Sequence, residues 1–468
     1  MTPTLRRWAS FTLSRSSPRD HRERRSRGVF QGTASAVAGR VLTILVSVVS
    51  VPLTVGYLGG ERYGAWVTIV SVLTFLSITD LGLAASLTNA LGKAQAEDAH
   101  DRGQRYVSSA FLVLSLIAFV ILILASTLAP RIAAFLFPNL QSSLAQAEII
   151  PAVMIALSIF ALNLPFLVNT RVLAAHQESA LANLWNIAGS LGNLAALLAV
   201  IWFRGGLPWL VFGCFGLGLA ANITCAIWLF GFHKPRLRPK LASVDPPLVK
   251  NLFSDGWKFF VIGIGWMVNW QTDNMVISHF LGAAQVTPYA VTFSLFAMAT
   301  GLQTLAYPSL WPAYTEAFAQ GDYAWIRQTL RSNFKFSFFS SIAIVGVLTL
   351  FGSEIIRLWA GAAAVPPFSV IIWMALWRLM LSTLLVGSCL LNATGHLKGM
   401  TIYGTITAVL NLTLSILLAK TYGITGVIAA TVIAFAVANY IPTFLEVRSV
   451  LRKCSLVKAS RPQRPSHR

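Results

Sequence analysis

The sequence predicts an all-α integral membrane protein of about 12 transmembrane helices, built as two six-helix bundles related by a pseudo-two-fold axis along the membrane normal. Three observations lead there. Of 468 residues, 56% are hydrophobic and only 11% are charged, whereas a soluble domain carries roughly a quarter charged residues. The apolar residues gather into spans of about 20 or more, the length a bilayer core demands. The second half of the chain also repeats landmarks of the first.

Taken in order, residues 1–30 form a basic, Arg- and Ser-rich tail without the apolar stretch of a signal peptide. Six spans follow at 31–54, 63–91, 105–129, 148–173, 178–203 and 207–231, making an N-terminal bundle of 31–231. A Pro- and Lys/Arg-rich linker occupies 232–253. Six more spans at 254–280, 286–315, 330–352, 365–391, 399–420 and 423–446 make a C-terminal bundle of 254–446, and 447–468 is a second basic tail. Transmembrane β-strands would be about ten residues long and alternate in polarity. These spans do neither, so they read as helices, and those longer than 20 residues tilt or project beyond the bilayer.

The net charge of +20 is not a nucleic-acid footprint, because the basic residues sit in tails and loops between apolar spans. With the amino terminus placed inside, 29 of the 36 Lys and Arg fall on the cytoplasmic side. The outer loops hold only Arg62, Arg131, Arg204, Arg357 and Lys420. That asymmetry places both termini in the cytoplasm. The four cysteines build no disulfide framework. Cys214 and Cys225 share one helix about 16 Å apart by helical rise, too far to bridge.

The internal repeat pairs Leu58-Gly59 with Leu281-Gly282, Ser86-Leu87 with Ser309-Leu310, Asp98 with Asp322, His176 with His396 and Asn222 with Asn439. Six passes per half give both halves the same orientation, the plan of a carrier whose bundles rock around a central site. No Gly-rich phosphate loop, HExxH, CxxC or GxSxG motif is present, so neither an enzyme nor a nucleotide-driven pump is indicated. No cofactor or metal site is expected.

Four charges lie well inside predicted spans: Arg40, Asp80, Asp273 and Arg378. Each costs about 2.5–3.5 kcal/mol at mid-membrane unless paired or wetted. None has a charged counterpart at its repeat-related position, so the fold alone does not require them. Arg40 and Arg378 suit an anionic headgroup, since a guanidinium fork binds phosphate bidentately. The alternative is that each Arg pairs with an Asp, for example Arg40 with Asp80. Asp80, in the run SITDLGL, serves either coupling or the shape of a Gly-loosened kink. Asp273 either joins the site or reaches water near the outer surface.

Trp266, Asn269, Trp270 and Asp273 recur at i, i+3, i+4 and i+7, one face of helix 7. Aromatic faces beside amides and acids suit sugar rings; the competing reading is an interfacial Trp belt. Trp377, beside Arg378, poses the same question. Asn89, Asn163, Asn193, Gln271 and Asn411 read as interhelical hydrogen-bond partners rather than ligands.

The run YLGGERYGAW, followed by SITDLGL and by ALGKAQAEDAHDRGQRYVSSAF, resembles the Wzx-type oligosaccharide flippases. These form the polysaccharide-biosynthesis branch of the multidrug/oligosaccharidyl-lipid/polysaccharide exporter superfamily. The architecture is similar over about residues 30–446, and the motifs concentrate in 57–111. The resemblance implies two bundles in a V and transfer of an undecaprenyl-pyrophosphate-linked glycan from the inner to the outer leaflet of the bacterial cytoplasmic membrane. It also implies cationic groups in the central cavity, with Arg40 and Arg378 as candidates. The expected partners are the polyprenyl-linked glycan, membrane lipid, and a polysaccharide polymerase or glycosyltransferases, with no nucleic acid. A cation-coupled drug exporter of the same superfamily, or a non-transporting membrane partner of glycan assembly, are the other readings.

Overall fold

The computed structural model describes residues 18–77, 82–301, 303 and 307–460. Asp80 lies outside them, as do the two ends of the chain, and the side chain of Trp266 is likewise not described. Among the described residues there are twelve helical passes and no strand. The first bundle holds α1 (18–58), α2 (60–76, resuming as Leu83–Ala96), α3 (His100–Leu136), α4 (Ser143–Asn163, continuing as Leu167–Ala175), α5 (Ser179–Trp202) and α6 (Leu207–Trp228). The second holds α7 (Pro246–Leu281), α8 (Ala283–Gly301, continuing as Tyr307–Gln320), α9 (Tyr323–Ala360), α10 (Phe368–Ala393), α11 (397–422) and α12 (424–435, then a π turn and Ile441–Ser460).

Among the described residues, eight continuous helices are long and apolar enough to cross a membrane. Two of them, 37–76 and 398–452, each contain two passes joined without a loop, at Gly59 (φ 75°) and Gly423 (φ 61°). Only glycine adopts such angles freely, so each glycine lets the chain double back. Several passes run longer than the sequence spans: α9 covers 38 residues where 330–352 was expected. Its extra turns are capped and polar, with the Asp322 carboxylate accepting the Trp325 amide at 3.0 Å.

The duplication is visible in the backbone. Left-handed residues occur at Gly59 and Gly282, Asp98 and Gly321, Gln177 and Gly395, and Arg204 and Gly423. Each pair is separated by close to the repeat length, so the two halves turn at the same places.

The motif residues at 57–62 are anchors. Tyr57 donates to the Gly205 carbonyl at 2.6 Å, and Glu61 accepts the amides of Gln141 and Ser142. Arg62 grips Glu148 with two bonds of 2.8 and 2.9 Å, and Glu148 also accepts the Leu207 amide that opens α6. These contacts lash the loops of the first bundle at the end away from the linker, here called the far end.

The bundles meet unevenly. At the far end one apolar core runs through both, joining Val55, Leu58 and Ala129 to Ala283, Val291 and Ile356. Hydrogen bonds cross the same seam: Ser278 to the Leu136 carbonyl at 2.7 Å, Thr287 to the Gly60 carbonyl, and the Trp359 indole to the Val48 carbonyl at 2.8 Å. Gly64 sits so close to the Ala283 carbonyl that a Cβ there would overlap it. At the linker end there are two cores, one around Leu87, Val107 and Leu229 that also takes in Leu248 and Leu252 from the start of α7, and another around Tyr314, Leu390 and Val447 within the second bundle. Contact there runs through α2 and α7, where the Ser86 hydroxyl donates to the Leu252 carbonyl at 2.9 Å.

Candidate functional site

Between the far-end seam and the linker end lies a cavity of about 570 Å³. Its walls come mainly from α7, α8, α10 and α12, with Arg40 of α1 and Tyr63 and Val67 of α2 closing the other side. A second cavity of about 340 Å³ shares Asn269, Trp270, Trp377 and Thr431 as a wall and continues toward Asn392, Thr401 and Asn439 at the linker end. The chemistry therefore belongs largely to the second bundle.

Helical spacing explains which side chains converge. Asn269, Trp270 and Asp273 lie on one face of α7 and all line the cavity. Trp377 and Arg378 reach it from α10, and Arg40 from α1. Six of the eight residues singled out in the sequence thus surround one space. Trp270 and Trp377 are not an interfacial belt: their rings meet at 5.2 Å, and Trp377 is 4% exposed. Phe293 of α8 completes the cluster, 5.5 Å from Trp377 and 6.4 Å from Trp270.

Arg378 rests on this cluster. Its guanidinium carbon lies 4.6 Å from the Trp377 ring centre and 4.7 Å from that of Phe293. Cation–π attraction of this kind is strongest where water is excluded, and Arg378 is buried. One nitrogen donates to the Phe293 carbonyl at 3.4 Å, while Nε is buried without a partner. No described carboxylate pairs with it, and Asp273 in particular does not. Arg40 is solvent-accessible and its guanidinium lies against Gly301. Its suggested partner, Asp80, falls outside the described residues.

Asp273 does not reach water at the outer surface, as one reading of its position allowed. It is 8% exposed. Its Oδ2 accepts the Tyr289 hydroxyl at 2.6 Å and the Thr431 hydroxyl at 3.0 Å, while Oδ1 has no partner. Thr431 also lies 3.2 Å from the Asn411 carbonyl oxygen, making a chain from α8 through α7 and α12 to α11. Fixed donors offset the cost of burying a carboxyl group. Asn411 thus has the interhelical role its sequence position suggested, as does Asn163, which accepts from Asn222 at 2.9 Å. Asn269 donates to the Gly404 carbonyl, and Asn274 reaches across to the Ser71 hydroxyl at 2.9 Å.

Sequence reasoning missed Tyr289, Phe293 and Thr431. Tyr289 and Phe293 stand one helical turn apart in an apolar run, where aromatic residues ordinarily pack. The pairing of a span-embedded acid with a span-embedded tyrosine was the available signal.

The family model described as "Polysaccharide biosynthesis protein" matches residues 29–318. A protein of Yersinia pseudotuberculosis bearing the name "Putative O-antigen export protein" is 23% identical over 409 residues, covering 86% of this chain and 92% of its own. Among solved structures, an inward-facing multidrug resistance transporter of the MATE family and MOP superfamily superposes with a TM-score of 0.71 at 15% identity, covering 90% of this chain and 96% of that one. A MOP superfamily transporter from Pyrococcus furiosus gives 0.63 at 16% identity over 92% and 97%. At these identities the solved structures establish the fold.

Proposed function

Because this chain belongs to the polysaccharide biosynthesis protein family, whose model spans well over half of it, we propose that it flips a polyprenyl-pyrophosphate-linked oligosaccharide from the inner to the outer leaflet of the bacterial cytoplasmic membrane. Family and fold are those of a multi-pass exporter rather than an enzyme. The observation that carries the finer reading is Arg378, a buried guanidinium on an aromatic shelf with an unpartnered Nε. Such a group is arranged to receive an anion. The Trp270, Phe293 and Trp377 rings beside it suit the C–H faces of sugars, and Asn269 and Gln271 suit their hydroxyls.

In this mechanism both termini are cytoplasmic, so the linker end faces the cytoplasm. The core shared at the far end, and the linker-end cores that meet only through the start of α7, then correspond to an inward-open state. The pyrophosphate enters beside Arg40 and Arg378 while the polyprenyl chain stays in lipid between the bundles. Breaking the far-end seam and closing the linker end exposes the headgroup outside, where polymerisation or ligation removes it. A cation-coupled drug exporter would instead use Asp273 as its carboxylate; two cavity arginines oppose a cationic cargo.

The test is the pool of polyprenyl-linked sugars in cells lacking the protein, scored by leaflet. Complete repeat units held on the cytoplasmic side, released by the wild-type protein, support the flippase. A normal leaflet distribution together with new sensitivity to cationic dyes would overturn it in favour of the drug exporter.

A further inference from the structure

We propose that the second bundle carries a separate binding groove for an anionic glycerophospholipid of the cytoplasmic leaflet, between α9, α10 and α12 at the linker end. The groove has a volume of about 330 Å³ and is lined mainly by apolar groups, including Leu330, Phe334, Leu384 and Val447. Arg327, Arg331 and Arg448 stand at its mouth. All three are exposed, and among the described residues no carboxylate pairs with any of them. Arg448 lies over the Phe444 ring at 4.5 Å. This groove shares no side wall with the central cavity beyond Leu384, which borders the second cavity.

The repeat relates α9, which walls the groove, to α3 of the first bundle. On the floor of the groove the Thr383 and Tyr440 hydroxyls lie 3.2 Å apart; in the first bundle Asn222, one residue from the position matching Tyr440, donates to Asn163. In the first bundle, however, the chain's own linker covers the site. Leu237 is buried against Gly103, Gln104 donates to the Arg238 carbonyl, and the Ser108 and Ser109 hydroxyls accept the amides of Lys240 and Asp245. In the second bundle α12 instead runs straight on into Ile441–Ser460, and Arg327 and Arg331 fall on α9 at the repeat-related positions of Gly103 and Val107.

Charge and shape together select the occupant. An apolar cleft between membrane helices takes an acyl chain, and basic groups at the cytoplasmic rim take a phosphate.

The test is native mass spectrometry of the full-length protein in detergent with added phosphatidylglycerol or phosphatidylcholine. Wild type should retain phosphatidylglycerol selectively, and retention should fall steeply as salt is raised. The triple variant R327Q/R331Q/R448Q should lose roughly a hundredfold in affinity, from the attraction each basic group contributes near an anionic surface, while R327K/R331K/R448K keeps most of it. Equal retention of both lipids by wild type, or unchanged phosphatidylglycerol retention in the Gln variant, would overturn the proposal. So would displacement of phosphatidylglycerol by undecaprenyl phosphate at equal concentration, which would make the groove a cargo site. Should the Gln variant not fold, the salt dependence of wild type and the Lys variant still decide.

Discussion

Arg378 and Asp273 line the same cavity and do not pair: the carboxylate takes its bonds from Tyr289 and Thr431, and the guanidinium takes its support from Phe293 and Trp377. Each charge is held by a different set of neighbours. Among the described residues no carboxylate neutralises the arginine, so an anionic headgroup meets it without first breaking an ion pair with Asp273.

Arg378→Ala is expected to weaken binding of a pyrophosphate-bearing lipid by about 10–150-fold, the worth of a charge-assisted hydrogen bond. Arg378→Lys keeps the charge but not the planar stack, so it should fall between the two. Binding of an undecaprenyl-pyrophosphate analogue to purified protein measures both. An Ala variant that binds like wild type would remove Arg378 from the site.

Thr431→Val removes the hydroxyl that joins Asp273 to Asn411 while keeping the side-chain shape. Leaving a buried carboxyl with one donor fewer costs about 1–3 kcal/mol. A lowered midpoint of thermal unfolding in detergent is the expected result, and an unchanged midpoint would show that the network is not under load. Asp273→Asn should be milder, because its amide oxygen still accepts from Tyr289.

Arg62 and Glu148 form a largely buried fork at the far end, with side chains 15% and 14% exposed. Arg62→Ala strands Glu148, which then keeps only the Leu207 amide, at a cost of about 1–3 kcal/mol. The double variant R62A/E148A should cost less than the two single variants summed. A double-mutant cycle on thermal stability reads the coupling directly.

Glu178 ties the α4–α5 loop to the end of α6 through Lys234 and His233, each at 2.8 Å. Burial alone raises its pKa, but the hydrogen bonds and charges of Lys234 and His233 outweigh that and hold it below its ordinary 4.5. A depressed carboxyl contributes stability that is complete above 4.5 and is lost as pH falls through the lower folded value. Unfolding midpoints should therefore drop with acid across that window, and Glu178→Gln should flatten the decline. Nearby His176 is shifted down from 6.5, mainly by burial and then by Lys234. Acid below about 6.5 should thus begin to destabilise the loop earlier, and this part should survive in Glu178→Gln.

Gly64→Ala places a methyl group against the Ala283 carbonyl where the bundles touch most closely. The seam must part, so the far end should open. A cysteine introduced at Ser278, which now bonds the Leu136 carbonyl, should become more reactive toward an impermeant thiol reagent. Unaltered reactivity would mean that this contact does not hold the bundles together.

The helices were legible because bilayer physics writes them in long apolar runs, and because Lys and Arg are so unevenly shared among the loops. The cavity was half legible. A charge inside a span is conspicuous, so Arg40, Asp273 and Arg378 stood out; helical spacing added Asn269 and Trp270, and adjacency to Arg378 added Trp377. Phe293 and Thr431 did not stand out, because a phenyl ring or a threonine hydroxyl in an apolar helix looks the same whether it packs or supports a charge. The roles of Glu61 and Arg62 were also hidden: their motif pointed to a family, but only the fold shows that they bind loops rather than cargo.

The recurrent left-handed corners carry one more consequence. In the second half glycine occupies all four, but in the first half Asp98, Gln177 and Arg204 hold three of them at φ between 51° and 60°. A side chain in that conformation is strained by about 1–2 kcal/mol. The same corner is thus built on glycine in one half and on a side chain in the other, and the two halves differ in how much conformational tension they store. Engineering for ruggedness should begin in the first half, by placing glycine at Gln177 and Arg204, where the second half already supplies the template.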